Sequence, residues 1–459
     1  MGPSGVQDAG QGDVTAVRPY LGRRFIRGLV PGAAVLMLIS TLVFNPSALI
    51  AAPVQVAALT LATAGPPPAA QLGLKRGMNL EIWVDWIEVE EMVASPDFLD
   101  QYPDWLRHVK PERIAALKAA GFDFVRFPVE PAPLLLIGPG ARRDALIGQI
   151  PLTVHMLQDA GLTVFVDLHT IPREAKDYAI DAIVGDAAVF DSYLQLVEEV
   201  AASLDGLDPT RTAFEPINEP THDCQAIEDG TKGDWPDQLV RLHHAARQRA
   251  PDLPLVLSGA CWGGIEGLEA IDPGAFADAN VIWSFHSYDP FLFTHQSAAW
   301  TDAAVGAFAD VPYPPSRVDD ALAETLVDAA IDRARSSDLA SMQSLTPEAL
   351  EGLMDDYRAA PDDSAADAPR RAAAWATSHG ISPAQLMLGE FGAIREDPEG
   401  RIFARPARVA FLQDKRLAAE AAGIAWSVWS WTGPLGIAGD DAKRDLDPDI
   451  CGALGLAGC

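Results

Sequence analysis

Residues 212–220, "TAFEPINEP", decide how this chain is read. The stretch follows a charged, helix-like segment and opens as a short buried strand. It then sets Asn218 beside Glu219 and stops on Pro220. Polar groups at the end of a buried element cost free energy unless something there uses them. A strand that delivers an amide and a carboxyl to its C-terminal end is expected where several strand ends share one site.

Seven other apolar runs of strand length flank this one: 74–80 "LKRGMNL", 122–129 "FDFVRFPV", 163–170 "TVFVDLHT", 253–260 "LPLVLSGA", 280–288 "NVIWSFHSY", 385–393 "QLMLGEFGA" and 425–433 "AWSVWSWTG". Between them lie amphipathic segments of helix length, among them 111–121, 150–161 and 405–423, each ending on Gly as a helix C-terminus does. Eight nearly continuous apolar strands with helical connections predict an α/β fold with a parallel sheet buried on both faces. The count of eight favours closure into a (β/α)₈ TIM barrel. The alternative, an open doubly wound sheet, calls for a Gly-rich phosphate loop after the first strand, and "RGMNLEIW" has none.

The expected organisation has four parts. Residues 1–51 form a basic region with a signal peptide or membrane anchor, 52–72 an Ala/Pro-rich linker, 73–445 the barrel and 446–459 a C-terminal tail. Between strands six and seven, residues 297–384 read as a long insertion, helical over 317–335 and partly mobile around the Ala/Asp/Pro-rich 355–371. The N-terminal expectation rests on Arg18, Arg23, Arg24 and Arg27, which precede an uncharged stretch from 28 to 74. Its first part, "GLVPGAAVLMLISTLVF", suits a signal h-region or an anchor that contacts the membrane. "RRFIR" weakly resembles a twin-arginine signal. Export to the outside of the cytoplasm is therefore expected, with the segment either cleaved or retained.

With 34 Lys+Arg against 64 Asp+Glu, the formal net charge is −30, which excludes nucleic acid and anionic lipid as electrostatic partners of the barrel. A monomer is expected. The four cysteines, Cys224, Cys261, Cys451 and Cys459, contain no C-x-x-C pair, so no structural zinc is expected. Pairings 451–459 and 224–261 are both open, as are free buried thiols. No G-x-S-x-G, H-E-x-x-H or His cluster points to a serine or metal hydrolase, and no cofactor is expected.

The predicted strand ends carry Asn79 and Glu81, Arg126, Asp167 and His169, Asn218 and Glu219, His286 and Tyr288, Glu390, and Trp429 with Trp431. In a (β/α)₈ barrel all these ends converge on one face, where such barrels do chemistry. The motifs "RGMNL", "VRFPV", "VDLHT", "INEP", "FHSYDP", "GEFGA" and "VWSW" occur in the order and spacing of glycoside hydrolase family 5, the cellulase-type barrels, which the chain resembles over about 74–433. Cleavage of a glycosidic bond needs two carboxyls flanking the anomeric carbon. The resemblance implies Glu219 as general acid/base and Glu390 as nucleophile, on strands four and seven. Arg126 is expected to keep Glu390 anionic and Tyr288 to donate to it, and the Glu390 charge, with partial burial, is expected to raise the Glu219 pKa. His286 is placed on the substrate or acid side, His169 and Asn218 at sugar hydroxyls, and Trp429 as a platform for a pyranose ring. Trp83, Trp86, Trp105 and Trp262 would extend the cleft, and His222, His295 and Gln296 have a weak claim to substrate. Asp167 is expected to be structural, Glu215 to be a buried ion-pair or supporting residue, and Trp426 and Trp431 to pack the barrel wall. The implied activity is that of a retaining hydrolase of β-linked polysaccharide, endo-β-1,4-glucanase-like, with β-mannan or β-1,3-glucan as alternative substrates. A non-catalytic carbohydrate-binding barrel is the alternative from another class.

Overall fold

The computed structural model describes residues 68–80, 111–170 and 178–459 apart from 299, 398, 399, 402 and 442, together with residue 94. The signal or anchor segment, most of the linker, Glu81, Trp83, Trp86 and Trp105 lie outside the described residues. No described helix is long and apolar enough to cross a membrane.

Eight strands close into a barrel in sequence order: β1 (Arg76–Asn79), β2 (Phe124–Val129), β3 (Thr163–Leu168), β4 (Thr212–Glu215), β5 (Leu255–Ser258), β6 (Val281–His286), β7 (Leu386–Phe391) and β8 (Ala425–Val428). Every neighbouring pair is parallel, β8 to β1 included. The strands are shorter than the apolar runs. β4 ends at Glu215, so Asn218 and Glu219 stand just past it, and Trp429 and Trp431 just past β8. The reason is geometric: once strand ends splay at the barrel mouth, the ladder stops before the apolar pattern does.

The floor of the barrel interior is apolar. Phe124 and Phe165 stack at 5.2 Å with Ala213, Val256, Ile282, Met387 and Ala425 around them. Gly77 makes this possible, because a β-carbon there would lie 2.2 Å from the Phe124 ring. Ala69 and Leu72, at the end of the expected linker, are buried against the same cluster, and the Ala69 N–H donates to Asn280 Oδ1. These residues close the bottom of the barrel.

Helices cover the outside: α1 (Pro111–Ala120), α2 (Gln149–Asp159), α3 (Ala187–Leu204), α4 (Trp235–Arg249), α5 (Ile265–Glu269), α6 (Asp320–Ser336), α7 (Pro347–Ala359), α8 (Asp367–His379), α9 (Arg405–Ala421) and α10 (Pro448–Ala453). Gly121, Gly161 and Gly423 follow α1, α2 and α9 with positive φ, as expected of helix C-termini.

The insertion differs from expectation in two ways. The stretch 355–371, expected to be partly mobile, is the end of α7, a 3₁₀ turn and the start of α8. Thr346 caps α7 with Pro347 at its first position, and Leu350, Leu353, Met354 and Tyr357 give it a buried face despite its acidic composition. Further, α8 packs against α5, α9 and β7, which is the place of the barrel's own sixth helix, so the added segment ends before it. Arg371 of α8 pairs with Glu266 and Glu269 of α5. At the C-terminus, α10 packs on α9, Leu454 and Leu456 are buried, and Cys451 pairs with Cys459. The second disulfide is Cys224–Cys261.

Candidate active site

Arg126 organises the barrel mouth. It sits on β2 level with Asn79 of β1, inside the barrel and with no exposed surface. Its Nε donates to Glu215 Oε2 at 2.7 Å, and Nη1 donates to Glu390 Oε1 at 2.6 Å and Asn79 Oδ1 at 3.0 Å. Nη2 donates to Asn218 Oδ1 at 2.7 Å and lies 2.9 Å from Asp167 Oδ2. A guanidinium offers five N–H groups in a rigid fork, so one buried cation can orient five side chains from four strand ends. Asn79 is itself held, donating to the Gly389 carbonyl and Ser427 Oγ. Asp167, expected to be structural, and Glu215, expected to be a buried ion-pair residue, are partners that fix this arginine. Burial raises the Asp167 carboxyl to about 7 against the pull of Arg126, so it holds a proton readily. Asp167 and His169 are two apart, which puts both on the inward face, and Asp167 Oδ2 is 2.8 Å from His169 Nδ1.

Glu390 owes its position to a local irregularity. Phe285 of β6 faces Leu388 of β7, but the next residue, His286, faces Glu390, so β7 bulges at Gly389. Only glycine fits there. A β-carbon at Gly389 would lie 2.5 Å from Ser284 Oγ and 2.9 Å from His286 Nε2. The Glu390 carboxylate is nearly buried and has two donors, Arg126 on Oε1 and the Tyr288 hydroxyl on Oε2 at 2.8 Å. Burial and the neighbouring Glu219 push its pKa up, while His286 and Arg126 pull it down. Tyr288, raised well above its ordinary value by burial and by Glu390, remains a donor at all working pH.

Glu219 stands past the end of β4 with a positive φ of 41°, and 23% of its side chain is open to the mouth. Its Oε1 lies 2.6 Å from His286 Nδ1, which in turn is 3.7 Å from Glu390 Oε2. One oxygen of each glutamate and a ring nitrogen of His286 all lie within 4.8 Å of one another. Burial lifts the Glu219 carboxyl to about 7, partly offset by His169 and Arg126. Burial, one of the two causes expected, leads this shift. His286 and His169 are both lowered by burial to about 4, so both rings are neutral near pH 7. The same three ligand atoms could face a cation, but Arg126 and Tyr288 already occupy both oxygens of Glu390, and the guanidinium charge opposes a metal there.

The remaining predicted residues divide. Trp429 is half-buried and stacks on His169 at 5.2 Å and 15°, within the mouth. Asn218 Nδ2 lies 3.5 Å from His169 Nε2. Trp262 is 39% exposed on the turn after β5. His222 is turned away, its Nε2 2.8 Å from Gln238 Oε1 and its ring against Trp235. Gln296 is an internal staple that bonds Phe293 and Val311 main chain, and has no place in a cleft. His295 is buried between Phe291 and Tyr288, where its ring meets the tyrosine edge-on at 4.8 Å. Trp426 and Trp431 are fully packed.

Two carboxyls this close, one accepting from two donors and the other raised to about 7, form a pair suited to displacement with proton transfer. The chain is similar to endoglucanase 3 of Fibrobacter succinogenes, 26% identical over 228 residues, covering 49% of this chain and 30% of that protein. It is similar to cellodextrinase A of Ruminococcus flavefaciens, 25% identical over 268 residues, covering 57% of this chain and 72% of that one. The chain thus spans under a third of the first relative's length. In fold it matches Cel5A of Thermotoga maritima, solved with cellobiose, at a TM-score of 0.54 and 19% identity, over 84% of this chain and 99% of that one. The model of the cellulase family, glycosyl hydrolase family 5, matches residues 87–434, and the chain belongs to that family.

Proposed function

We propose that this protein is a retaining endo-β-1,4-glucanase-like hydrolase, with Glu390 as nucleophile and Glu219 as general acid/base. The observation that carries the reading is the approach of the two carboxyls, an oxygen of each within 4.8 Å. Retaining enzymes keep their carboxyls about 5–5.5 Å apart, and inverting enzymes leave room for a water. In the first step a Glu390 oxygen bonds to the anomeric carbon as the bond to the leaving oxygen breaks, and Glu219 gives that oxygen its proton. In the second, water attacks the same carbon, the ester to Glu390 breaks, and Glu219 takes the proton back. Arg126 and Tyr288 favour the anion that attacks and later departs. Trp429 and His169 form a surface for the sugar whose bond is cut, with Asn218 beside its 2-hydroxyl. The endoglucanase and cellodextrinase relatives support a β-glucan as substrate.

The N-terminal basic and apolar pattern and two disulfides support export to an oxidising compartment, secreted or anchored. The test is product analysis on cellulose, mixed-linkage glucan, mannan and laminarin oligosaccharides, with the anomer of the new reducing end followed by NMR. Initial release of the β-anomer from cello-oligosaccharides is expected. Initial α-anomer would overturn the retaining mechanism, and binding without turnover of any substrate would favour a non-catalytic barrel.

A further inference from the structure

The turn after β5 is built unlike the other described loops of the mouth. Cys261, Trp262 and Gly263 follow one another in left-handed conformation, at φ 56°, 61° and 64°. Two of the three carry a β-carbon, which makes that conformation costly, and it persists only where the surroundings enforce it. The surroundings here are the two groups of the proton-transfer side. The Cys261 N–H donates to the His222 carbonyl at 3.1 Å and the Trp262 N–H to the Pro220 carbonyl at 2.9 Å, so the turn grips the chain just past Glu219. Gly263 supplies the carbonyl that accepts from the His286 N–H at 2.8 Å. A methyl on Gly263 would rest 3.8 Å from the His286 ring and 3.9 Å from Glu219 Cγ, so the turn lies directly behind both side chains. The Cys224–Cys261 disulfide ties the first residue of this turn to the helix start that follows the Glu219 segment, with a Cα separation of 4.7 Å. Behind it, the backbone at Gly259 approaches that of Gly267 too closely for any β-carbon, which seats the turn against α5.

We propose that the Cys224–Cys261 bond and Gly263 are positioning elements for proton transfer, holding the strained turn that sets Glu219 against His286. This rests on the reading of Glu219 as acid/base. With the bridge gone, the left-handed residues can relax toward extended backbone. The carbonyls of Pro220, His222 and Gly263 then lose their fixed partners, and Glu219 and His286 are free to separate. Glu390, held from the other side by Arg126 and Tyr288, is left in place. The defect is therefore confined to proton delivery.

Leaving-group dependence tests this. Through formation of the glycosyl ester, kcat/KM on cellotetraose needs the acid, whereas on 2,4-dinitrophenyl β-cellobioside the leaving phenolate needs no proton. For C224S/C261S, kcat/KM on cellotetraose is expected to fall about 10–100-fold, the scale of a misplaced catalytic group, while the dinitrophenyl substrate changes by under about threefold. Azide, a nucleophile that needs no base, should restore kcat on the aryl substrate. Gly263→Ala, which keeps the bridge and fits sterically but strains the turn, should show the same split with an unchanged near-UV spectrum, and decides the matter if the double variant does not fold. C451S/C459S should leave both substrates unaffected. Equal loss on both substrates, or no loss on either, from the turn variants would overturn the inference while leaving the glucanase reading intact. A wild-type protein inert on both substrates would overturn that reading instead.

Discussion

At the scale of single residues, the site separates its two carboxyls by their donors. Glu390 has Arg126 and Tyr288, both permanent donors, while Glu219 has one neutral imidazole and partial exposure. The pair titrates as a unit, and the proton resides on the member with fewer donors to its charge. The sign of the pH dependence follows. Glu219 must be protonated for the first step, so kcat/KM on unactivated glucan is expected to fall as pH rises through about 7. Glu390 must be ionised, and its pKa is raised above the ordinary carboxylate value, so activity falls again in acid. A bell-shaped profile measured on cellotetraose checks both limbs. Glu219→Gln should remove the alkaline limb and cost about 10²–10⁴ in rate on unactivated glycan. Tyr288→Phe leaves Arg126 as the one donor on Glu390 and should slow turnover on activated and unactivated substrates alike, which steady-state comparison of the two would show. That Glu219 and Glu390 meet at the mouth was legible because both stand at strand ends, while the roles proposed for them came from the resemblance to the cellulase-type barrels. The hub at Arg126 was half legible: the arginine, its Glu390 partner and a buried ion pair at Glu215 were expected, but that Asp167 and Glu215 both pair with Arg126 was not, because the partner of a buried acid has no signature in sequence.

At the scale of elements, two glycines inside strands do what no other residue can. Gly389 lets β6 and β7 approach at the bulge that aims Glu390, and Gly77 leaves room for the Phe124 ring in the barrel floor. Gly389→Ala is expected to displace His286 or Ser284 and destabilise by about 1–3 kcal/mol with loss of activity, as overpacking does. Gly77→Ala should destabilise by a similar amount of about 1–3 kcal/mol but spare the chemistry, since the floor lies at the opposite end of the strands. Denaturant melts and turnover of the two variants, compared, distinguish these outcomes. Helix ends were readable from Gly121, Gly161 and Gly423, because the left-handed residue after a helix is a local requirement. The strand ends were not, since the apolar pattern continues past the ladder into the loops that form the mouth. The bulge at Gly389 was equally silent. Its cause is contact with a strand about a hundred residues away.

At the scale of the whole molecule, the barrel is closed from below by residues 69–72, covered by ten helices named above, and stapled twice. The Cys451–Cys459 bridge closes a short loop, for which chain entropy suggests about 2–3 kcal/mol, and Cys224–Cys261 a longer one worth about 4 kcal/mol. Melting of C451S/C459S should therefore show the smaller loss of stability of the two double variants. Lys415 of α9, fully buried, donates to Ser287 Oγ at 2.8 Å and so ties the barrel's outer layer to the strand end that carries Tyr288. By itself the sequence determined the class of fold, the order of its strands, the face on which polar strand ends meet and the two glutamates there, because hydrophobic period, helix stops and residue chemistry are local properties. Only the tertiary structure decided which cysteines pair, which acids brace Arg126, why Glu390 needs a glycine before it, and that the acidic stretch 355–371 folds as helix rather than loop. Each of those depends on distances between segments far apart in the chain, which close only when the barrel does.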